Sequence, residues 1–156
     1  MQSPSKGTVA YKTEADVQIE QAAVFNQVGF SAPGQEIIDE LTLNEFLEFH
    51  FSFKRLLPTL TITDIIELTG LKNSANKPIG DYSSGMRQRV KLAQAIFSDT
   101  PVLLLDEPCT NLDQQGVEQY RSWIETYTKG RTIVVASNDP REYFFCREQI
   151  ALEDYK

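Results

Sequence analysis

The sequence predicts an α/β protein in which a block of helices precedes a small sheet of parallel strands. Residues 102–105 are wholly apolar and Thr132–Ala136 nearly so, as is typical of parallel strands covered on both faces. Helical periodicity between these runs completes a strand–helix–strand unit, whose crossover should be right-handed. Apolar residues also recur at helical spacing from Leu43 onward. We therefore expect a helical block over residues 41–100 and an α/β block over residues 101–156.

Composition narrows the class of protein. The 156 residues are 41% apolar and include nine Phe and six Tyr, which favours a folded globular domain over disorder. Fifteen Lys and Arg against 22 Asp and Glu give a net charge of −7, so general binding of nucleic acid is not expected. Two cysteines are too few for a disulfide framework, and no apolar run approaches the ~20 residues of a membrane span. Residues 1–7 lack the apolar core of a signal peptide, which predicts a cytoplasmic protein with reduced thiols.

The first half of the chain is expected to contain two strands and two helices. Residues 8–11 and 24–28 are the predicted strands, and a loop containing Gly and Pro follows over residues 29–35. The first helix should end at Pro58, and the second should run over residues 63–69 with Thr63 as its cap and Gly70 at its exit. Five apolar residues share one face of the first helix: Leu43, Phe46, Leu47, Phe53 and Leu57.

The second half alternates helix and strand. One helix begins near Ser84, and another lies between the two apolar runs and ends at Gly130. A short helix is expected after Pro140, and residues 149–152 are a candidate third strand. The faces expected to be buried consist of Val90, Ala93, Ile96 and Phe97 in the first helix and of Val117, Tyr120, Ile124 and Tyr127 in the second.

Two motifs carry candidate chemistry. Asp106 and Glu107 follow the first apolar strand, and ligand sites in open α/β sheets lie at the carboxyl ends of strands. On an extended backbone the two carboxylates point to opposite sides, so one can hold Mg²⁺ while the other faces a nucleophilic water. Acidic residues also commonly end strands in solvent. Both interpretations remain open on this motif alone.

The second motif, residues 82–86, lies at a helix start. Ser83, Ser84 and Gly85 offer hydroxyls, free N–H groups and room for the close approach of a phosphate. The alternative is that Ser83 or Ser84 is an ordinary N-cap and that Gly85 eases the turn.

The order of these motifs resembles the ATP-binding cassette (ABC) transporter nucleotide-binding domain. Residues 82–86 are similar to its Leu-Ser-Gly-Gly-Gln signature, residues 102–107 to its Walker B strand, and residues 111–113 to its D-loop. Residues 41–53 resemble the start of its helical subdomain, and residues 132–139 its switch-loop strand. The resemblance implies a partial P-loop NTPase core with parallel strands plus an α-helical subdomain. It assigns residues 1–40 to the part up to the Q-loop, 41–100 to the helical subdomain and signature helix, and 101–156 to the second half of the core.

The resemblance also implies roles for single residues. Ser83 and Gly85, with Ser84 beside them, would contact the γ-phosphate of ATP bound to the opposite subunit. Asp106 would position Mg²⁺ and Glu107 would polarise the attacking water as general base, while Asp113 would communicate across the dimer interface. In-line attack on a phosphate depends mainly on positioning and charge stabilisation.

Three departures from the family pattern qualify these roles. The sequence contains no Gly-Lys dipeptide, so the P-loop that cradles phosphates is missing, and the match begins after the Walker A helix near residues 7–9. Asn138 stands where the family has its switch histidine; it can donate a hydrogen bond to a phosphate but carries no proton near neutral pH. A lead-in to a helix capped by Asp139 is the alternative for Asn138. Gln35 is the nearest candidate for the Q-loop glutamine.

The resemblance predicts an ATP-binding subunit that couples ATP hydrolysis to transport, with ATP and Mg²⁺ as cofactors. Its expected partners are a second nucleotide-binding domain, in a homodimer or heterodimer, and transmembrane permease subunits that hold it at the inner face of the membrane. Without a P-loop, the chain alone is not expected to hydrolyse ATP. The alternatives are a non-hydrolytic module that binds in trans to a complete cassette, and a fragment whose missing strands leave apolar faces uncovered.

Three further features are expected to have ordinary roles. His50 has no partner for a metal site or triad, so it is predicted to be a surface or groove-lining residue. The Phe-rich run over residues 46–53 is predicted to be core, and its surplus could form part of a groove for a permease coupling helix. Cys109 is expected to serve packing rather than redox chemistry.

Overall fold

The computed structural model describes residues 7–8, 10–12, 15–151 and 154. It contains five strands: β1 (Tyr11–Lys12), β2 (Gln18–Ile19), β3 (Val28–Ser31), β4 (Val102–Asp106) and β5 (Thr132–Ala136). Its four α-helices are α1 (Leu43–Phe53), α2 (Ile62–Thr69), α3 (Ser84–Ile96) and α4 (Gln114–Tyr127). Short 3₁₀ turns span Gln21–Gln27, Lys72–Ser74 and Ile79–Asp81.

Three parallel strands form the central sheet in the order β3–β4–β5, which confirms the predicted parallel sheet. The register pairs Phe30 with Leu104 and Leu104 with Val134, while β1 and β2 form a separate antiparallel pair. The carboxyl ends of β4 and β5 therefore lie side by side, with Asp106 paired to Ala136.

Only one face of this sheet is covered by the described residues. Leu103 and Leu105 are buried in one core cluster with residues of α3 and α4. The opposite face carries the row Phe30, Leu104 and Val134, in which Phe30 is 46% and Val134 53% exposed. The expectation that these strands are covered on both faces is therefore wrong for this part of the molecule.

The strand predicted at residues 24–28 is wrong except for Val28, its last residue. Residues Gln21–Gln27 form a 3₁₀ turn, and the strand is β3, so Gly29 belongs to the strand rather than to the loop that follows. Of the strand predicted at residues 8–11, Tyr11 lies in β1, while Val9 is outside the described residues.

The first two helices differ from prediction at their ends. Helix α1 ends at Phe53, well before Pro58, because the backbone becomes extended at Lys54. The ammonium of Lys54 donates to the Val28 carbonyl at 2.5 Å, which ties this exit to β3. Helix α2 begins at Ile62 with Thr61, not Thr63, as its N-cap, and it ends at Gly70 in the left-handed conformation, as predicted.

The Phe-rich run is only partly core. Phe46 is buried, whereas Phe49 and Phe53 are exposed and pack edge-to-face with ring centroids 5.1 Å apart. His50 lies between them in sequence and is half-buried, which neither confirms nor excludes the predicted surface or groove-lining position. Its Nε2 lies 3.1 Å from Ser98 Oγ, and burial and the Lys54 charge lower its pKa to about 4.

Helices α3 and α4 lie where they are predicted, except that α4 ends at Tyr127 rather than at Gly130, and they complete the core. The predicted faces are buried or half-buried, and Phe97 packs edge-to-face against Trp123 of α4 at 5.1 Å. No helix within the described ranges is long and apolar enough to span a membrane. The short helix expected after Pro140 is absent, and turns take its place. No strand forms over residues 149–151, and Leu152 lies outside the described residues.

Candidate functional site

The turn that follows β4 positions the acidic pair. Asp106 is the last residue of β4, and the chain leaves the extended conformation at Glu107, whose φ is +41°. The Glu107 amide donates to the Ala136 carbonyl of β5 at 2.9 Å. Both acidic residues are exposed, but the prediction that they alternate along an extended backbone is wrong, because the chain has already turned at Glu107.

Three hydrogen bonds fix this turn: one from α3, one from the segment after β5 and one within the turn itself. Gln88 of α3 donates its side-chain amide to the Pro108 carbonyl at 2.8 Å. The Cys109 amide donates to the Glu142 carboxylate at 2.6 Å. The Thr110 hydroxyl donates to the Glu107 carboxylate at 3.1 Å, which orients the candidate general base. A turn held in this way presents the Glu107 carboxylate in a defined place.

An open cleft of about 680 Å³ lies between this turn and the segment that follows β5. Glu107 and Asn138 line it together, as expected for side chains at the carboxyl ends of neighbouring parallel strands. Arg141 is the single basic residue of the lining and is paired with Asp139 at 2.6 Å. The full lining is Glu107, Cys109, Thr110, Asn111, Leu112, Ser137, Asn138, Asp139, Pro140, Arg141 and Glu142.

The charge of this lining is unfavourable to a bare anion. Three carboxyl side chains, those of Glu107, Asp139 and Glu142, face a single guanidinium. Within the described ranges, no three His, Cys, Asp or Glu side chains converge on a point that could hold a metal ion. Mg²⁺ commonly takes one or two carboxylates together with phosphate oxygens and water. Asp106 is exposed at the end of β4 and has a carboxylate available for such a partial role, although it does not line the cleft.

Ser83 and Gly85 have clear local roles at the start of α3. Ser83 is the N-cap, since its hydroxyl accepts from the Met86 amide at 3.3 Å, and Ser84 is the first helical residue. Gly85 lies against the turn after β4: a Cβ there would be 2.9 Å from the Asn111 carbonyl. The glycine thus permits close packing inside this chain. Neither serine nor Gly85 lines the cleft.

Asp113 links α4 to α3. Its carboxylate caps α4 by accepting from the Gly116 amide at 2.8 Å, and it also accepts from Arg89 at 3.1 Å. The hydrogen bond from Gly116 is the main reason that the pKa of Asp113 is lowered, and Arg89 adds to it. Arg89 therefore ties residues 111–113 to α3, the helix that begins at the 82–86 motif, although Asp113 lies outside the cleft lining.

Gln35 lies in the loop after β3, away from the cleft lining. The backbone amide of Gln35 donates to the Ala32 carbonyl at 3.1 Å. In the same loop, the Lys91 ammonium of α3 donates to the Pro33 carbonyl at 2.6 Å. The Gln35 Oε1 atom is buried without a hydrogen-bond partner among the described residues. The structure thus joins this loop to α3 but does not bring Gln35 to Glu107 and Asn138.

Sequence reasoning missed Gln88 and Glu142, which hold the turn from α3 and from the segment after β5. Both are polar residues in or near predicted helices, where solvent exposure was the ordinary expectation, yet both are buried. Cys109 is buried as predicted, and burial, followed by the charges of Glu142 and Asp139, raises the pKa of its thiol to about 12. A thiol that stays protonated is consistent with packing rather than redox chemistry.

Comparison with known proteins identifies the family. The family model described as ABC transporter matches residues 1–110. The ABC transporter ATP-binding protein YhcH of Bacillus subtilis is 32% identical over 124 residues, which are 74% of this chain and 41% of YhcH. YybJ of the same organism is 29% identical over 152 residues, covering 96% of this chain and 68% of YybJ. The lantibiotic transport ATP-binding protein SrtF of Streptococcus pyogenes is 32% identical over 108 residues, covering 65% of this chain and 47% of SrtF.

A solved structure shares the fold. A dimeric ATP-binding cassette in a post-hydrolysis state, bound to ADP and Pi, matches with a TM-score of 0.70 and 20% identity, covering 88% of this chain and 65% of that one. This likeness confirms the predicted partial P-loop NTPase fold. The chain spans well under half the length of some curated relatives, 41% of YhcH and 33% of YcbN. Because the family model covers more than half of the sequence, the chain belongs to the ABC transporter family.

Proposed function

We propose that this chain is an ATP-binding part of an ABC transporter, which couples ATP binding and hydrolysis to transport across a membrane. The observation that carries the proposal is the meeting of Glu107 and Asn138 in one cleft at the ends of β4 and β5. Relatives such as SrtF and the bacitracin transport protein BcrA of Bacillus licheniformis are named as transport ATP-binding proteins.

Each polar group at this edge of the sheet then has a distinct task. Asp106, beside the cleft, would hold Mg²⁺, which would neutralise charge on phosphate oxygens. Glu107, oriented by Thr110, accepts a hydrogen bond from the attacking water. Asn138 donates its side-chain amide to a phosphate oxygen, a role that needs no proton transfer. Since carboxylates predominate in the cleft, we expect ATP to bind there with Mg²⁺ and not without it.

The start of α3 acts on a second nucleotide-binding domain. Ser83 is exposed and lies outside the cleft of its own chain, which supports contact with ATP held by another subunit. Ser84 and Gly85 contribute N–H groups of the first helical turn. Asp113, whose side chain is 66% exposed, lies at the same dimer interface. Gln35 is proposed as a nucleotide-sensing residue through its loop contact with α3.

Hydrolysis by the isolated 156-residue protein is the first test. The sequence has no Gly-Lys dipeptide for a P-loop, so we expect no Mg²⁺-dependent turnover of ATP by this protein alone. Phosphate release would be measured for the unaltered protein and for Glu107→Gln. Turnover that Glu107→Gln abolishes would show that this chain is a complete ATPase and would overturn the expectation.

The alternative, a non-hydrolytic module that closes over ATP in trans, is tested by association. The chain would be mixed with a complete ABC ATP-binding protein such as YybJ, and complex formation with and without Mg-ATP would be followed by sedimentation velocity. Ser83→Asp keeps a capping oxygen but opposes a phosphate, so it should weaken the ATP-dependent complex. Ser122→Asp, an exposed change on α4, is the matched control. Equal association for both variants would count against contact through Ser83.

The exposed pair Phe49 and Phe53 supports docking to transmembrane permease subunits, which would hold the chain at the cytoplasmic face of the membrane. Phe53 is 62% exposed, and a large apolar side chain in that position favours a protein partner. Phe53→Ser should lower recovery of the chain with membranes containing its permease. Ile150→Ser, which also removes an exposed apolar side chain, should leave recovery unchanged.

A further inference from the structure

Glu142 is a buried charged residue that the proposed chemistry does not use. It is only 3% exposed, and its Oε1 accepts the Cys109 amide at 2.6 Å. None of the ion pairs within the described residues includes it; the neighbouring Arg141 pairs with Asp139 instead. A buried carboxylate needs hydrogen bonds to offset its desolvation, and the Cys109 amide supplies a strong one.

The main chain of Glu142 is fixed at the same time. Its amide donates to the Asp139 carbonyl at 3.0 Å, which closes the segment that carries Asn138. Its carbonyl accepts from the Tyr120 hydroxyl of α4 at 2.7 Å, and Tyr120 is fully buried. Glu142 is therefore anchored to the core through α4. The cleft has two walls, residues 107–112 and residues 137–142, and the Glu142 side chain extends from the second wall to the first.

The residue thus joins the two segments that form the cleft. Cys109 is two residues beyond Glu107, and Glu142 is four beyond Asn138. The other contacts of the turn, Gln88 to the Pro108 carbonyl and the Glu107 amide to Ala136, come from α3 and β5. Within the part of the chain that the structure describes, the Glu142 carboxylate makes the side-chain hydrogen bond that directly joins the turn to the segment of Asn138.

We propose that Glu142 is a positioning residue that sets the distance between Glu107 and Asn138, and that it does so by holding the Cys109 amide. The proposal rests on the function proposed above, because it gives that distance its purpose. Without the carboxylate, the Cys109 N–H is buried and unpaired, and both walls lose a shared support. The two walls should then move independently.

Hydrogen exchange measured by mass spectrometry tests this tether on the 156-residue protein. In Glu142→Ala, amides in residues 107–112 and in residues 137–142 should both exchange about tenfold faster or more, as loss of a hydrogen bond to a charged group implies. Glu142→Gln keeps an acceptor and should stay closer to the unaltered protein. Glu125→Ala, an exposed change on α4, is the control.

Exchange in α3 separates a tether from general destabilisation. It should be unchanged in Glu142→Ala; an equal acceleration of α3, or acceleration of only one wall, would overturn the proposal. Should Glu142→Ala fail to fold, Tyr120→Phe removes the hydroxyl that holds the Glu142 carbonyl with little change of shape. It should loosen both walls together, and loosening of neither or of only one would again overturn the tether.

Addition of Mg-ATP separates the tether from the proposed function. In the unaltered protein, Mg-ATP should slow hydrogen exchange in both walls. In Glu142→Ala, it should no longer slow exchange in both. Equal protection of both walls in Glu142→Ala would overturn the positioning role. Absence of any protection in the unaltered protein would contradict the proposed ATP site, and the exchange rates without nucleotide would still decide whether Glu142 ties the walls together.

Discussion

Replacement of Gly29 by alanine should reveal how closely β3 is packed on α3. A Cβ at this position would lie 2.5 Å from the Ala95 carbonyl oxygen, 3.1 Å from Leu103 Cδ1 and 3.2 Å from Thr100 Oγ1. The tip of a leucine can move aside, but the carbonyl oxygen belongs to the backbone of α3. Strand and helix must therefore separate to admit a methyl group.

The expected cost follows from two opposing effects. Overpacking of a well-packed core typically costs about 1–3 kcal/mol, whereas alanine inside a strand otherwise gains roughly 0.5–1 kcal/mol over glycine. The clash with backbone should dominate, so we expect Gly29→Ala to lower the free energy of unfolding by about 2 kcal/mol. For a chain of this size that corresponds to a fall in Tm of roughly 4–8 °C.

Urea unfolding followed by tryptophan fluorescence is the assay. Trp123 is the single tryptophan, is 2% exposed and packs against Phe97, so its emission reports the core directly. The matched control is Gly34→Ala, since a Cβ at Gly34 meets nothing within 4 Å. That variant should stay within about 0.5 kcal/mol of the unaltered protein. Equal stability of the two variants would refute the inference that β3 and α3 are in rigid contact.

Three more predictions use the same protein. At pH 8 a maleimide should modify the half-buried Cys146 well before Cys109, whose pKa is raised to about 12; two equally fast modifications would contradict this. The pKa of His50 is lowered to about 4 in the folded chain, so the unfolded chain binds more protons between about pH 6.5 and about pH 4. The free energy of unfolding should therefore fall as the pH drops through that range, by at most about 3 kcal/mol. Urea midpoints of His50→Gln should depend less on pH over that range, and an unchanged dependence would assign it to other groups. Gly85→Ala places a Cβ 2.9 Å from the Asn111 carbonyl and should lower the free energy of unfolding by about 1 kcal/mol in the urea assay. An unchanged free energy would show that the backbone at Asn111 moves to make room.

Elements whose local pattern and packing agree were predictable from sequence. Helix α3 and strands β4 and β5 lie where their apolar patterns placed them, because each is buried against the same core. Strand β3 was misplaced because the apolar residues before it suggested a strand, whereas Phe25 among them is 53% exposed in a 3₁₀ turn. Glycine has a poor strand propensity, and Gly29 permits a close approach of β3 to α3 that a local pattern does not encode.

The site shows the same division. Motif order predicted that Glu107 and Asn138 belong to one site, and their common cleft agrees with that, since both follow parallel strands. The positive φ of Glu107 and the contacts that hold its turn come from residues far apart in sequence, such as Gln88 and Glu142. Long-range hydrogen bonds of this kind have no periodic signature. Prediction therefore stopped at the residues of the motifs.

The open face of the sheet has a consequence for how the protein behaves at different temperatures. Phe30, Leu104 and Val134 form an apolar row across the open face, from β3 through β4 to β5, and β5 pairs only with β4 among the described residues. Apolar association weakens on cooling, so self-association through this row should be greater at 25 °C than at 4 °C. Sedimentation at the two temperatures would measure it, and Val134→Lys should abolish the difference, whereas a difference that survives this change would place the contact elsewhere. If this row mediates self-association, warming as well as concentration should shift the chain from single molecules to assemblies in solution.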